Sequence, residues 1–221
     1  MILALDTSTR FIGIAIFDGE SVLYEIVWQS QNNHTVELAP AVADALARAG
    51  ISVEQLQAVA IATGPGSYTS LRVGMAFAKG LALSRRIPII GVPTLDVIAR
   101  AQPVRDASLA AVLQAGRGRV AVGWYHDIAG GWRPTGEVAI LTPEALSQRI
   151  RKTTIICGEI DPETRRLVGR KYKNVEISSP PHSLRRAAVL ADIAWERLLQ
   201  GQVDDPATLA PLYFTQNESP S

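Results

Sequence analysis

The stretch IATGPGSYTSLRVGMAFAKGLAL, Ile61 to Leu83, carries three patterns in succession. LQAVAIAT, ending at Thr63, is a continuous apolar run of strand length. Gly64-Pro65-Gly66-Ser67 then interrupts it, and apolar residues at three- and four-residue spacing follow to about Arg85. The expected local structure is a buried strand, a tight turn and a helix capped by Ser67. A glycine turn before a helix also raises the question of a phosphate cradle. A Walker loop needs Lys followed by Ser or Thr inside the turn, and a dinucleotide loop needs a third glycine; GPGSYTSLRVG has neither. What remains is a helix start whose free amides face an anion at Gly66 and Ser67 or simply accept a cap, and the cap is the favoured reading.

Working outward, MILALDTSTR, FIGIAIFDGE and SVLYEIVW are three Ile/Val/Leu-rich runs with a hairpin signal at Asp18-Gly19. Between the first two, Asp6, Thr7 and Ser8 form a second candidate anion site, a carboxylate beside two hydroxyls. In turns such side chains usually bond their own backbone, and that reading is favoured. From Thr35 to Ala49 the spacing is helical, with Leu38, Val42, Leu46 and Ala49 on one face and Gly50 as the stop. IPIIGV and a helix from Thr94 to Ala101 complete a β-β-β-α-β-α-β-α order, which predicts a mixed sheet covered by helices. Near Gln102 the pattern restarts: SLAAVLQAG, RVAVGWYHDI and WRPTGEVAIL as a meander, a helix over 143–151, the strand TTIICGE, and a long helix from about Ser183 to Gln200. The expected organisation is two α/β lobes, 1–101 and 102–221, ending in a frayed TQNESPS tail.

The chain has 22 Lys and Arg against 21 Asp and Glu, so no global field recruits nucleic acid or an anionic membrane, and RNA contact is expected only through a complex. Asp6 interrupts the N-terminal apolar run, no run approaches the ~20 residues of a membrane span, and Cys157 is alone; a cytoplasmic protein is expected. His34, His126 and His182 lack metal-ligand spacing, and Cys157 in its apolar strand reads as a small hydrophobe. Arg165, Arg166, Arg170, Lys171 and Lys173 read as a solvated face rather than an RNA contact.

Helix faces point to assembly. At 100° per residue, Leu71, Gly74, Phe77, Ala78 and Leu81 form the core side of the second helix, while Arg72, Met75, Ala76, Lys79 and Leu83 share the opposite side. Apolar side chains among charges suggest a face covered by a partner. The first helix presents Glu37, Pro40, Ala41, Asp44 and Arg48 away from its own core stripe. These two outer faces are the expected partner-binding residues, with small residues permitting close approach and charges selecting the partner.

ILALDTST, HTVELAPAV, ATGPGSYTSLRVGMAFAKGLAL and IPIIGVPTLDVIA together resemble the TsaB (YeaZ) family over residues 1 to about 101; the second lobe is similar in outline and length. The resemblance implies a two-lobed actin-like (ASKHA-type) fold and a non-catalytic dimerisation subunit of the bacterial tRNA threonylcarbamoyladenosine synthase complex. It implies pairing with the catalytic paralogue TsaD, work alongside the ATPase TsaE, and a homodimer when alone. ATP and metal are then expected on partner subunits, with no cofactor in the isolated chain. The chain departs from its relatives at three places. Thr94 and Ile98 stand where the catalytic paralogue has metal-binding histidines, Gln114-Ala115-Gly116 where the family commonly has Asp-Ala-Arg, and Tyr213-Phe214-Thr215 where it has Tyr-Leu-Arg. Two rival functions are an actin-like ATPase or phosphotransferase using Asp6 and Thr7, and a metallopeptidase. Gln114 in the second phosphate-loop position counts against the first, and Thr94 and Ile98 against the second.

Overall fold

The β-branched and leucine-rich runs form strands, as their composition dictates. In the computed structural model, which describes residues 1–31, 33–170 and 173–213, β1 (Ile2–Asp6), β2 (Phe11–Phe17) and β3 (Val22–Gln29) are an antiparallel meander. After α1 (His34–Arg48), β4 (Ala58–Ala62) enters beside β1 and parallel to it. After α2 (Tyr68–Arg85), β5 (Ile89–Val92) pairs parallel with β4. The sheet order is therefore β3-β2-β1-β4-β5, and α3 (Thr94–Arg100) follows. Strand alternation sends Leu3, Leu5, Ile14 and Ile61 to one face, where they meet Leu38 and Val42 of α1 and Met75 and Ala78 of α2.

The second sheet is built from β6 (Ser108–Gln114), β7 (Val120–Ile128), β8 (Gly131–Pro134), β9 (Ala139–Leu141), β10 (Thr154–Gly158) and β11 (Val175–Ile177). Its order is β11-β10-β6-β7-β8, with β9 also on β7; β6, β10 and β11 run parallel, and β7 runs against β6. On one face Leu109, Ala111 and Cys157 meet Leu95 and Ile98 of α3. On the other, Ala110, Val112 and Ile156 meet α4 (Pro143–Arg149) and α5 (Pro162–Gly169) through Leu146, Ile150 and Val168.

Two local expectations are corrected, and a helix appears where no element was expected. WRPTGEVAIL is two short strands, since Pro134 ends β8 before β9 pairs again with β7. The basic segment at Arg165 is helix α5, started by Asp161, whose carboxylate accepts the Thr164 N–H at 2.7 Å, with Pro162 in the first turn. The long final helix is instead α6 (Pro180–Ser183) and α7 (Ala187–Leu199), separated by extended backbone at Leu184 and Arg186. Glu25 of β3 fixes the second start by accepting the Ala188 N–H at 3.0 Å and pairing with Arg186.

That start also changes the domain division. One compact unit comprises Met1–Thr94 with Arg186–Tyr213, the other Leu95–Arg185, rather than two consecutive halves meeting at residue 102. The chain returns because α7 covers the face of the first sheet left open by α1 and α2. Gly13 marks the close approach, since a Cβ there would lie 3.3 Å from that of Ala187. No described helix is long and apolar enough to cross a membrane.

Candidate partner-docking site

The turn that opens α2 is braced from below by the Asp6–Thr9 loop. Thr7 Oγ1 donates to the Ser70 carbonyl at 2.9 Å, and the Ser67 N–H donates to the Ser8 carbonyl. Ser8 N–H donates to Asp6 Oδ1 at 2.8 Å, and the Ser8 and Thr94 hydroxyls are bonded at 2.8 Å. Thr94 Oγ1 also accepts the Gly64 N–H at 3.0 Å. Backbone and side chains crowd so closely that a Cβ on Gly66 would stand 2.1 Å from the Ser8 carbonyl oxygen. The candidate anion residues Asp6, Thr7, Ser8, Gly66 and Ser67 thus come together, and the groups named here are engaged with one another. Ser67 is the α2 cap, its hydroxyl 3.5 Å from the Ser70 nitrogen and 3.0 Å from the Ser70 hydroxyl.

Held at this start, α2 lies beside α1, and the two helices leave an open apolar groove of about 540 Å³. His34, Thr35, Leu38 and Ala39 line it from α1; Tyr68, Thr69, Arg72, Val73, Ala76 and Phe77 line it from α2. His34 is buried and its Nε2–H donates to the Thr9 carbonyl at 2.9 Å, which fixes the first turn of α1. Tyr68, 54% exposed, has the Arg72 guanidinium 4.5 Å from its ring centre, and the Tyr213 ring lies 4.8 Å away at a tilt of 40°. Leu212, whose N–H donates to the Thr63 carbonyl at 2.7 Å, delivers Tyr213 to that position.

Of the residues expected to bind a partner, Pro40, Asp44, Arg48, Arg72, Ala76 and Leu83 are exposed, Lys79 is half-buried, and Arg72 and Ala76 line the groove. Met75 is corrected: at 4% exposure it belongs to the core beside Ala78. The buried stripe of α2 is Leu71, Gly74, Met75, Ala78 and Ala82, rotated so that Phe77 and Leu81 sit at its margin. Glu37 and Ala41 are also turned inward. Glu37 accepts the Trp28 indole N–H at 2.8 Å, and Ala41 packs on the first core. Asp44 and Arg48 pair with each other at 2.7 Å on the open surface. The exposed residues on the α1 side of the groove are therefore Thr35 and Ala39, which sequence periodicity did not single out; the only trace was their small size. Tyr68 was also missed, although a large aromatic at the first position of a capped helix is a visible signal.

The remaining candidates are structural. Ile98 is buried in the second core. Cys157 is fully buried, and burial pushes its thiol well above the usual range. Tyr125 donates to Asp96 at 2.7 Å, and burial followed by the Asp96 charge pushes its phenol far upward. No group of three metal-ligating side chains occurs among the described residues. Gln114 donates to Asp161 at 2.8 Å at the end of β6. Phe214, Thr215 with the TQNESPS tail that it begins, and Lys171 lie outside the described residues, whereas Arg166, Arg170 and Lys173 are exposed and Arg165 half-buried.

The family model described as TsaD, tRNA N6-adenosine threonylcarbamoyltransferase, matches residues 25–159. The tRNA threonylcarbamoyladenosine biosynthesis protein TsaB of Bacillus subtilis is 37% identical over 57% of this chain and 55% of its own length. The Escherichia coli protein of the same name is 33% identical over 68% of this chain and 66% of its own length. The chain thus spans between about half and two thirds of these two relatives. A solved YeaZ structure from Pseudomonas aeruginosa superposes with a TM-score of 0.77 at 24% identity, covering 96% of this chain and 99% of that one. The fold is the α/β, actin-like arrangement expected.

Proposed function

Since this chain belongs to the TsaD family, in its TsaB (YeaZ) branch, we propose that it serves tRNA threonylcarbamoyladenosine biosynthesis as a non-catalytic docking subunit. The observation that carries this reading is the α1–α2 groove, an apolar surface lined by exposed Tyr68 and Ala76 beside Arg72. Its occupant is the matching helix pair of a TsaD-type catalytic subunit. Small residues such as Ala39 and Ala76 let helices approach to the 8–10 Å of ordinary helix packing, and Arg72 at the rim selects an acidic partner. Two copies of the chain pair through the same groove when the partner is absent. Threonylcarbamoyl transfer, ATP and metal belong to the TsaD-type and TsaE-type subunits, in the cytoplasm where tRNA is modified. The non-catalytic assignment is supported by Thr94 and Ile98, one engaged in bracing the α2 turn and the other part of a core, where an imidazole pair would be needed.

The test is to mix the chain with a TsaD-type protein and follow assembly by analytical ultracentrifugation and tRNA modification by mass spectrometry. Omitting the chain should abolish modification. Ala76→Arg puts a bulky charge into the groove and should abolish pairing, whereas Arg72→Ala should mainly slow association and weaken its salt dependence. A fully assembled, fully active complex containing Ala76→Arg would place the interface elsewhere.

A further inference from the structure

The chain's near-zero net charge conceals a separation. Residues 95–185 carry fourteen Lys and Arg against nine Asp and Glu, a net charge of +5. Residues 1–94 and 186–213 carry eight against eleven, a net charge of −3. Opposite charge on two compact units of one chain is a signal of an anionic partner for the basic one, which the whole-chain sum hides.

Topology gathers the excess on one edge. Because β6, β10 and β11 are parallel, the segments that feed them all arrive at the same end of the second sheet, and antiparallel β7 ends there too. Arg149 closes α4, and Arg151 and Lys152 lead into β10. Arg170 and Lys173 lead into β11. Arg133 on β8 stands opposite His126 on β7, and His126 opposite Ser108 at the start of β6. All six cations are exposed. Lys152 Nζ donates to His126 Nε2 at 3.3 Å, which ties the β10 approach to the β7 end. The acids at this edge are fewer: Glu176 is paired with Arg105 at 2.8 Å, leaving Asp106 and Asp127.

We infer that this edge binds the phosphate backbone of tRNA. Four inter-strand steps of ~4.8 Å make an edge about 19 Å long, which spans roughly five or six phosphates at ~3.4 Å of axial rise each. A line of cations with arginines predominating matches repeated phosphates, since the guanidinium fork pairs two oxygens at once. The six lie along a sheet edge, not on one stripe of an amphipathic helix with an apolar face beneath, the arrangement a membrane surface favours. Choosing RNA over an acidic protein rests on the tRNA-modification reading above. On this account the subunit does more than dock the catalytic partner: its second unit holds the substrate that the partner modifies.

The experiment measures binding of unmodified tRNA as a function of KCl, for the chain alone and for its mixture with a TsaD-type protein. Arg151→Gln/Lys152→Gln is compared with Arg10→Gln/Arg86→Gln, which removes the same charge from exposed positions of the first unit. The edge pair should lower the slope of log affinity against log salt by about 1.5–2 and weaken binding at least about tenfold. The first-unit pair should change each by less than half as much. Arg133→Gln/Arg149→Gln should reproduce the edge effect, with circular dichroism unchanged. Equal losses from the edge and first-unit pairs would overturn the inference, as would displacement of tRNA by polyglutamate or phosphatidylserine vesicles at matched charge. Pairing is followed on the same samples: a wild-type chain that binds tRNA through this edge without joining the TsaD-type protein would remove the docking reading and leave the RNA site standing.

Discussion

Two glycines of α2 should respond in opposite directions to the same substitution. A Cβ on Gly74 would stand 2.1 Å from Thr7 Oγ1 and 3.0 Å from its Cγ2, whereas one on Gly80 meets nothing within 4 Å. Thr7 is fully buried and cannot retreat without breaking its 2.9 Å bond to the Ser70 carbonyl, one turn earlier in the same helix. Gly74→Ala therefore incurs overpacking of about 1–3 kcal/mol and the loss of a hydrogen bond of about 1 kcal/mol, against a helix-propensity gain of about 1 kcal/mol. The net cost is about 1–3 kcal/mol, a fall in Tm of roughly 2–12 °C at ~2–4 °C per kcal/mol for a chain of this size. Gly80→Ala keeps the propensity gain alone and should raise Tm by roughly 2–4 °C. Thermal scans by circular dichroism measure both. Thr7→Ala removes the two clashing atoms, so Thr7→Ala/Gly74→Ala should be more stable than the sum of the single changes by about 1 kcal/mol or more. Strict additivity, or a Gly74→Ala protein as stable as Gly80→Ala, would refute the proposed contact between α2 and the Asp6–Thr9 loop.

Tyr213→Ala removes the ring that lies 4.8 Å from Tyr68, and an aromatic pair contributes about 0.5–1.5 kcal/mol, so the complex with a TsaD-type protein should dissociate roughly 2–10 times faster. Tm should hardly change, because both rings are exposed, and surface plasmon resonance with an unaltered dissociation rate would count against Tyr68 as an anchor. Asp161 caps α5 by accepting the Thr164 N–H, which holds its carboxyl below the usual carboxylate range. Its contribution is present above the unfolded-state pKa and is lost as pH falls below about 4 through the lowered folded value. Asp161→Ala should cost about 1 kcal/mol at neutral pH, and urea titrations should show that difference shrinking toward pH 3; a constant difference would contradict the cap.

The first unit was legible because each of its elements is announced locally: Ile/Val/Leu runs bounded by Asp18-Gly19 and Gly50, and Ser67 before an amphipathic run. The second unit was less so, since α5 is only eight residues long with little apolar periodicity and β8 and β9 are only four and three residues long. Nothing local marked the return of α7 to the first sheet. That placement depends on Glu25 and Gly13, over 160 residues away in sequence. The face proposed to dock a partner was legible only in its exposure: Arg72, Ala76 and Leu83 face outward, but a helical wheel has no absolute zero. Met75 fell on the wrong side because the buried stripe of α2 takes in Met75 and leaves Phe77 and Leu81 at its margin, and Glu37 because it turns to accept the Trp28 indole N–H.

The loop and turn that first suggested a phosphate cradle gain a different meaning from their bonding. A cradle keeps its amides and hydroxyls directed at an absent ligand. Here the Thr7 hydroxyl is bonded to Ser70, that of Ser8 to Thr94, and the Ser67 N–H to Ser8, so these polar groups join α2 to the sheet. The same α2 start carries Tyr68, with Arg72 one turn along, at the mouth of the groove. On the proposed docking role, bracing the first turn of α2 by buried hydrogen bonds lowers the entropy that must be lost when a partner binds, because Tyr68 and Arg72 are presented from a backbone already fixed. A strand, a glycine turn and a capped helix can therefore serve either an anion or, as proposed for α2, a partner. The difference lies in whether the hydroxyls face outward to a ligand or inward to the helix, and the named bonds of Thr7 and Ser8 face inward.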